Sequence, residues 1–148
     1  MRILTQNFDK PNSQSISVYG EYLALRKALS MRPAGIIAEV RASKMLGRGG
    51  AAFPTGIKWE FARRSTDFPK YIVANADEGE PGTFKDKAIL EKDPHRLLEG
   101  IIIAGYAIGA SEGFIYTRAE YPKAKKVLAW AISEAEDHGY LGDNVIAP

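Results

Sequence analysis

The second half of the chain alternates between short apolar runs and longer helical patterns, and this order limits the fold more than any other feature. Residues 71–75 (YIVAN) and 113–118 (GFIYTR) are rich in β-branched and aromatic side chains, which favours strands. Helical patterns follow at 93–111 and 121–140. A strand, helix, strand order predicts a right-handed βαβ unit, and therefore an α/β fold with a parallel sheet.

Two strands make an incomplete parallel sheet, because such sheets normally contain more strands and are covered on both faces. The last residues, GDNVIAP at 142–148, stand where another strand could begin. We therefore predict the first part of a larger α/β domain, or a subunit that a partner completes. Helical spacing at 18–30 and 32–43 predicts an N-terminal helical segment at 1–45, followed by the α/β part at 46–148.

Composition excludes several classes of protein. The chain carries 20 Lys and Arg against 18 Asp and Glu, a balance that does not indicate nucleic-acid binding. It has no cysteine, so we expect no iron–sulfur cluster and no disulfide within it. It has only two histidines, of which His95 is expected to cap or pack and His138, in a helix C-terminal turn, is given no function, so no metal site is predicted. Without a bilayer-length apolar run or a signal peptide, we expect a cytoplasmic protein with no direct membrane insertion.

The loop MLGRGGAAFPTGIKWEF at 45–61 combines four glycines with basic and aromatic side chains. Glycine weakens regular structure by roughly 0.5–1 kcal/mol relative to alanine, so such a loop indicates a close backbone approach to a ligand. Its sequence matches neither the P-loop nor the usual dinucleotide fingerprint. Two interpretations stay open. Either backbone N–H groups with Arg48 and Lys58 bind an anion while Phe53, Trp59 and Phe61 stack on rings, or the loop only connects two helices and its aromatics fill the core.

An acidic turn, ADEGEPGTFKD at 76–86, follows the first strand directly. Asn75, Asp77, Glu78 and Glu80 offer one amide and three carboxylates. In parallel α/β sheets, ligands bind beyond the carboxyl ends of the strands. Such groups suit hydroxyls, amides and ring N–H groups, whereas the alternative is a solvated acidic turn.

Charge is divided between these two segments. Residues 41–70 carry seven basic and two acidic side chains, whereas residues 71–99 carry seven acidic and four basic ones. This division suits a ligand with phosphate at one end and uncharged polar groups at the other. Nucleotides and flavin mononucleotide (FMN) have that shape.

Three ordered motifs resemble a known family. They are GRGGAAFPTGIKW (47–59), YIVANADEGEPGTFKDKAILEKDPHRLLEGIIIAGYAIGA (71–110) and GFIYTRAEYPKA (113–124). They closely resemble the FMN- and NADH-binding flavoprotein subunit of respiratory complex I, a subunit type that also occurs in NAD-linked hydrogenases, formate dehydrogenases and bifurcating enzymes. The resemblance runs from about residue 18 to the end and matches roughly the first third of the family subunit. It implies a partial Rossmann-like parallel sheet with flanking helices.

The resemblance also implies roles for single residues. In the glycine-rich loop, the positions implied to hold FMN are Gly47, Arg48, Gly49, Gly50 and Lys58. In the strand-end loop, they are Asn75, Asp77 and Glu78. The positions implied to lie against NAD(H) are Phe53, Phe61 and Glu80. The flavin itself would accept the hydride, so no catalytic residue is named.

Two departures from the family pattern, and the short length of the chain, leave room for a second interpretation of its function. Ala52 stands where the family usually has glycine, and Leu46 where it usually has a basic residue. The family subunit continues past residue 148 with a second ligand loop and a cysteine-bearing domain that holds an iron–sulfur cluster. We therefore expect part of an NADH-oxidising flavoprotein that is not active alone. Its partners would be other subunits of an electron-transfer complex, including iron–sulfur proteins. The alternative is a cofactor-free accessory subunit that kept the fold.

Overall fold

The computed structural model of the chain describes residues 4–143. The elements in this range are α1 (Ile16–Tyr19), α2 (Leu23–Leu29), α3 (Pro33–Ala42), α4 (Thr55–Arg64), β1 (Tyr71–Ala76), α5 (Lys85–Lys92), α6 (Pro94–Ile108), β2 (Glu112–Thr117) and α7 (Pro122–Asp137). Strands β1 and β2 form a two-stranded parallel sheet, which confirms the predicted α/β class. The predicted start of a further strand at 142–148 falls almost wholly outside the described residues.

Two stretches differ from the sequence-based prediction. The helical pattern at 18–30 is two helices, because Gly20 adopts a φ of 98° and follows the end of α1. The acidic turn, predicted over 76–86, ends earlier, since α5 begins at Lys85. The residue before α5 provides no side-chain cap. The local start signal on which sequence reasoning depends is therefore missing there.

The chain divides into two compact units. Within the described range, the residues of unit 1 are 4–22, 73–100 and 115–143. Those of unit 2 are 23–72 and 101–114. Elements β1, α6 and β2 contribute residues to both units. The predicted division into 1–45 and 46–148 stays a prediction.

The core of unit 1 is built around α7. Its buried residues Ala124, Leu128, Ala131 and Ala135 recur every three or four positions, so they form one apolar stripe on the helix. The first two of them pack with the buried Leu90 of α5 and with Ala76, the last residue of β1. This packing places the end of β1, and the loop that follows it, against the same core.

The core of unit 2 joins α3 and α4 to the end of α6. Buried Ile36, Ile37 and Ala107 pack together, and the side chain of Trp59 packs against them. Helices α3 and α4 approach closely at Gly56, where an added Cβ would lie 2.6 Å from the backbone of Arg41. Glycine is required at this crossing, because any side chain would force the helices apart.

Candidate functional site

The glycine loop, residues 47–53, lies between α3 and α4 in unit 2. Its neck is closed by an antiparallel bridge between Leu46 and Pro54. The N–H of Gly47 donates to the carbonyl of Phe53 at 2.8 Å. The bridge and the hydrogen bond therefore hold the two ends of the loop together.

The backbone at the tip is open to its surroundings. A Cβ added at Gly49 or Gly50 would meet no heavy atom within 4 Å, so both residues border free space. Gly50 has a φ of 107° and Ala52 a φ of 50°. An L residue in this left-handed region costs roughly 1–2 kcal/mol. Ala52 therefore keeps a backbone conformation that glycine favours, and its methyl group is exposed.

The loop and α4, the helix that follows it, carry exposed cationic and aromatic side chains. Arg48 and Lys58 are exposed, and within the described range neither has a carboxylate partner. The rings of Phe53 and Phe61 lie 6.4 Å apart at a tilt of 47°. They are 46% and 59% exposed, whereas Trp59 packs into the core. The interpretation that all aromatics here fill the core is therefore wrong for Phe53 and Phe61.

The strand-end loop, residues 75–80, follows β1 in unit 1. The side-chain oxygen of Asn75 accepts a hydrogen bond from the N–H of Asp77 at 3.0 Å, which is an Asx-turn. The carboxylate of Asp77 lies 3.9 Å from Nε of Arg118. Both Asn75 and Asp77 are exposed, so they remain available to a ligand.

Glu78 differs from its neighbours because it is only 5% exposed. Its carboxylate accepts from the N–H groups of Asp86 at 3.1 Å and Lys87 at 3.3 Å, and lies 3.4 Å from Nζ of Lys85. It thus caps α5 from outside the helix, where the helix dipole favours negative charge. Burial raises the pKa of Glu78, but these donors more than offset it and hold the pKa below its ordinary value.

Arg118 and Tyr121 are residues that the sequence patterns did not single out. The carbonyl of Glu78 accepts from Nη1 of Arg118 at 3.0 Å and from the Tyr121 hydroxyl at 3.3 Å. Both donors follow β2 as Glu78 follows β1. Since parallel strands end at one edge of a sheet, this register was a usable signal for finding Arg118.

Glu80 is exposed, and its carboxylate has no partner among the residues that the structure describes. Its backbone carbonyl accepts from the N–H of Thr83 at 3.1 Å and from that residue's hydroxyl at 2.6 Å. The backbone is therefore ordered while the carboxylate is free to meet a ligand.

The predicted site residues thus form two groups. The members in unit 2 are Gly47, Arg48, Gly49, Gly50, Phe53, Lys58 and Phe61. The members in unit 1 are Asn75, Asp77, Glu78 and Glu80. Their assignment to FMN and NAD(H) stays a prediction.

His95 lies in a buried polar network in unit 1. Its ring is fully buried, with Nδ1 2.8 Å from the Tyr22 hydroxyl and Nε2 3.1 Å from Oε2 of Glu134. Because a carboxylate only accepts, Nε2 donates to Glu134 and Nδ1 accepts from Tyr22. Burial lowers the pKa of His95. This is a packing role, as predicted.

Two kinds of feature are absent from residues 4–143. This range holds no group of three or more His, Cys, Asp or Glu residues placed to bind a metal ion. Nor does any helix in it have the length and apolar character needed to cross a membrane.

Comparison with known proteins matches most of this chain to one family. The family described as the Nuo51 FMN-binding domain matches residues 40–147. An NADH-quinone oxidoreductase subunit of Aquifex aeolicus (strain VF5) is 52% identical over 149 residues, which is 99% of this chain and 35% of the relative. The NADP-reducing hydrogenase subunit HndC of Solidesulfovibrio fructosivorans is 48% identical, over 98% of this chain and 30% of the relative. The chain thus spans about a third of the length of these curated relatives.

A solved structure shares the fold. The crystal structure of NAD⁺-reducing [NiFe]-hydrogenase in the air-oxidized state matches with a TM-score of 0.74 and 34% identity. The match covers 93% of this chain and 23% of the hydrogenase chain.

Proposed function

Because the chain belongs to the Nuo51 FMN-binding domain family, we propose that it forms the first part of a module that oxidises NADH through FMN. When bound, FMN would take a hydride from NADH and release electrons one at a time. The residues of this chain would bind and orient the two cofactors.

The observation that carries this proposal is the open tip of the glycine loop. Gly49 and Gly50 are exposed and their N–H groups make no described hydrogen bond, while the cations Arg48 and Lys58 have no carboxylate partner in the described part of the chain. Free N–H donors and unpaired positive charge together suit a phosphate group. Gly47 supports the same site by closing the neck of the loop.

The strand-end loop would supply polar contacts to the flavin ring. The side chains of Asn75 and Asp77 are exposed and can meet ring N–H groups and carbonyls. The carboxylate of Glu78 is already used by α5. We therefore propose that Glu78 contributes by ordering this loop.

NAD(H) would be held by apolar and acidic contacts. Phe53 and Phe61 each expose about half of their surface, so their rings can stack on a base or a nicotinamide. Glu80 has a free carboxylate that can accept from an amide of the nicotinamide.

The remaining parts of the catalytic unit would lie outside these 148 residues. Because the chain spans about a third of the length of its relatives, further segments or chains would complete the pocket and hold the iron–sulfur clusters that accept electrons. The partners are then the other subunits of an electron-transfer complex, and the cytoplasm remains the predicted location.

The test is an absorption spectrum of the protein purified from its native host with its partners, followed by acid release of any flavin. We expect stoichiometric FMN that NADH bleaches. A complex that contains this chain but no flavin would overturn the proposal in favour of the cofactor-free accessory subunit.

A further inference from the structure

Unit 2 is far more basic than the chain as a whole. It contains ten Lys and Arg against four Asp and Glu, a net charge of +6, whereas the whole chain has a net charge of +2. Two of these cations, Arg48 and Lys58, belong to the candidate cofactor site. The other eight basic side chains of this unit are not part of that site.

Three of the arginines line one groove. The groove lies between α3 and α4 and has a volume of about 480 Å³. Its floor is formed by Ala34, Ile37 and Ala38 of α3. Its charged wall is formed by Arg41, Glu60, Arg63 and Arg64.

The groove lies on a different face of α4 from Lys58 and Phe61, the candidate cofactor residues of that helix. At 100° per residue, Glu60, Arg63 and Arg64 are centred roughly 140° around the axis of α4 from Lys58 and Phe61. The same helix therefore presents two separate faces. A ligand at the glycine loop would leave the groove open.

The groove is also preformed. Gly56 lets α3 and α4 approach until an added Cβ would lie 2.6 Å from the backbone of Arg41. Glu60 then joins the two helices, because one carboxylate oxygen accepts from Arg41 at 3.0 Å and the other from Arg64 at 2.5 Å. Binding here would not require the helices to be ordered first, which lowers its entropic cost.

The charge of the groove is not balanced from within. One carboxylate, that of Glu60, is shared by two arginines. Arg63 donates through Nη1 to the carbonyl of Ala107 at 3.0 Å, which orders the guanidinium without neutralising it. An apolar floor with a net positive wall is the arrangement of a protein interface, where arginine is enriched.

We propose that the α3–α4 groove docks an acidic, amphipathic segment of another protein chain. Small apolar side chains of that segment would lie over Ala34 and Ala38, and its carboxylates would meet Arg63 and the outer N–H groups of Arg41 and Arg64. The open shape suits a helix or strand of a macromolecule. It would bury a small molecule poorly, because Arg41 and Arg64 are 61% and 71% exposed.

The test is a titration of the 148-residue chain with two fluorescent helical peptides of about 18 residues, or roughly five turns. Both carry alanine and leucine on one face, and the rest is glutamate in one peptide and lysine in the other. The acidic peptide should bind at least about tenfold more tightly, and added salt should weaken it. Equal affinity for the two peptides, or no binding of the acidic one, would overturn the proposal.

Three variants locate the binding. Ala38→Glu places a carboxylate on the exposed floor and should weaken the acidic peptide at least about tenfold. Arg63→Gln should weaken it about fivefold, whereas Arg26→Gln, which removes the same charge from α2, should change it by less than about twofold. Circular dichroism checks that each variant is folded. An unchanged affinity in Ala38→Glu would contradict docking in this groove.

Two further outcomes would replace the partner class. An oligonucleotide that binds as tightly as the acidic peptide, with the same dependence on Ala38 and Arg63, would make the groove a nucleic-acid site. A dimer in sedimentation that Ala38→Glu dissociates would make a second copy of this chain the occupant.

Discussion

The strand-end loop and the glycine loop carry the candidate ligand residues, but they are held in different ways. In the strand-end loop, Asn75 binds the N–H of Asp77, and the carboxylate of Glu78 caps α5. The glycine loop is closed at its neck by the hydrogen bond from Gly47 to Phe53. Between these two residues, the described hydrogen bonds include none from residues 48–52.

Because of this difference, we expect the strand-end loop to contribute mainly to the stability of the fold and the glycine loop mainly to ligand binding. A loop whose polar groups are satisfied by the protein contributes to the free energy of unfolding. A loop with open N–H donors contributes little until a ligand satisfies them. Substitutions in the strand-end loop should therefore lower the free energy of unfolding, whereas substitutions at the tip of the glycine loop should weaken ligand binding. In α4, which follows the glycine loop, substitutions should lower the free energy of unfolding more than those at the tip.

The largest effect is expected at the base of the glycine loop, at the crossing of α3 and α4. Gly56→Ala should lower the free energy of unfolding by about 3 kcal/mol, because its Cβ would clash with the backbone of Arg41. The control is Gly100→Ala in α6, where an added Cβ meets nothing within 4 Å. Denaturant unfolding measures both. If the Gly56→Ala protein were as stable as the control, α3 and α4 could move apart at this crossing without loss of stability.

The next effect tests the strand-end loop. Glu78→Ala should lower the free energy of unfolding by about 2 kcal/mol, because the N–H groups of Asp86 and Lys87, at the start of α5, lose their acceptor. Glu80→Ala, two residues away and exposed, should stay within about 0.5 kcal/mol. The comparison fails if the two variants unfold at the same urea concentration.

The proposed FMN contacts of the glycine loop and of α4 should show the opposite behaviour. Lys58→Ala should leave the free energy of unfolding within about 0.5 kcal/mol, because the side chain is exposed. In the assembled protein it should weaken FMN binding about tenfold through loss of a phosphate contact. Lys27→Ala, an exposed lysine of α2, is the control. Flavin fluorescence measures the affinity, and an unchanged value would remove Lys58 from the site.

A smaller effect should separate the two cofactors. In the assembled protein, Glu80→Gln should change the KM for NADH about threefold while the flavin content stays stoichiometric, because we propose that the carboxylate contacts the nicotinamide. Steady-state kinetics and acid release of flavin give the two quantities. An equal loss of flavin would instead assign Glu80 to FMN.

The smallest effect concerns pH. The pKa of Glu78 is lower in the folded protein than in the unfolded chain, so the unfolded state binds the proton first as pH falls. The contribution of the carboxylate is thus fully present above about pH 4.5 and is lost as pH falls through the folded pKa. The stability difference between wild type and Glu78→Gln should be constant from about pH 5 to 7 and shrink below that range. A stability difference that does not depend on pH would mean that the negative charge of Glu78 does not stabilise the fold.

The two loops could be found from the sequence, but what holds one of them could not. Glycines, cations and carboxylates are visible as residue types, so Gly49, Arg48 and Asp77 could be singled out without coordinates. The cap of α5 could not be found in this way, because Glu78 lies seven residues before Lys85 and caps the helix across a turn. Local start signals look only at the residue next to the helix.

The alternation of strands and helices after residue 70, except for α5, was determined by the sequence itself, as were the apolar stripe of α7 and the family. Hydrophobic periodicity and long ordered motifs are properties of neighbouring residues, and they need no coordinates. Only the tertiary structure decided that Glu78 is buried, that Phe53 and Phe61 are exposed while Trp59 is packed, and that Gly56 lies at a helix crossing. Each of these depends on contacts between residues distant in the chain, and such contacts form only when the elements pack.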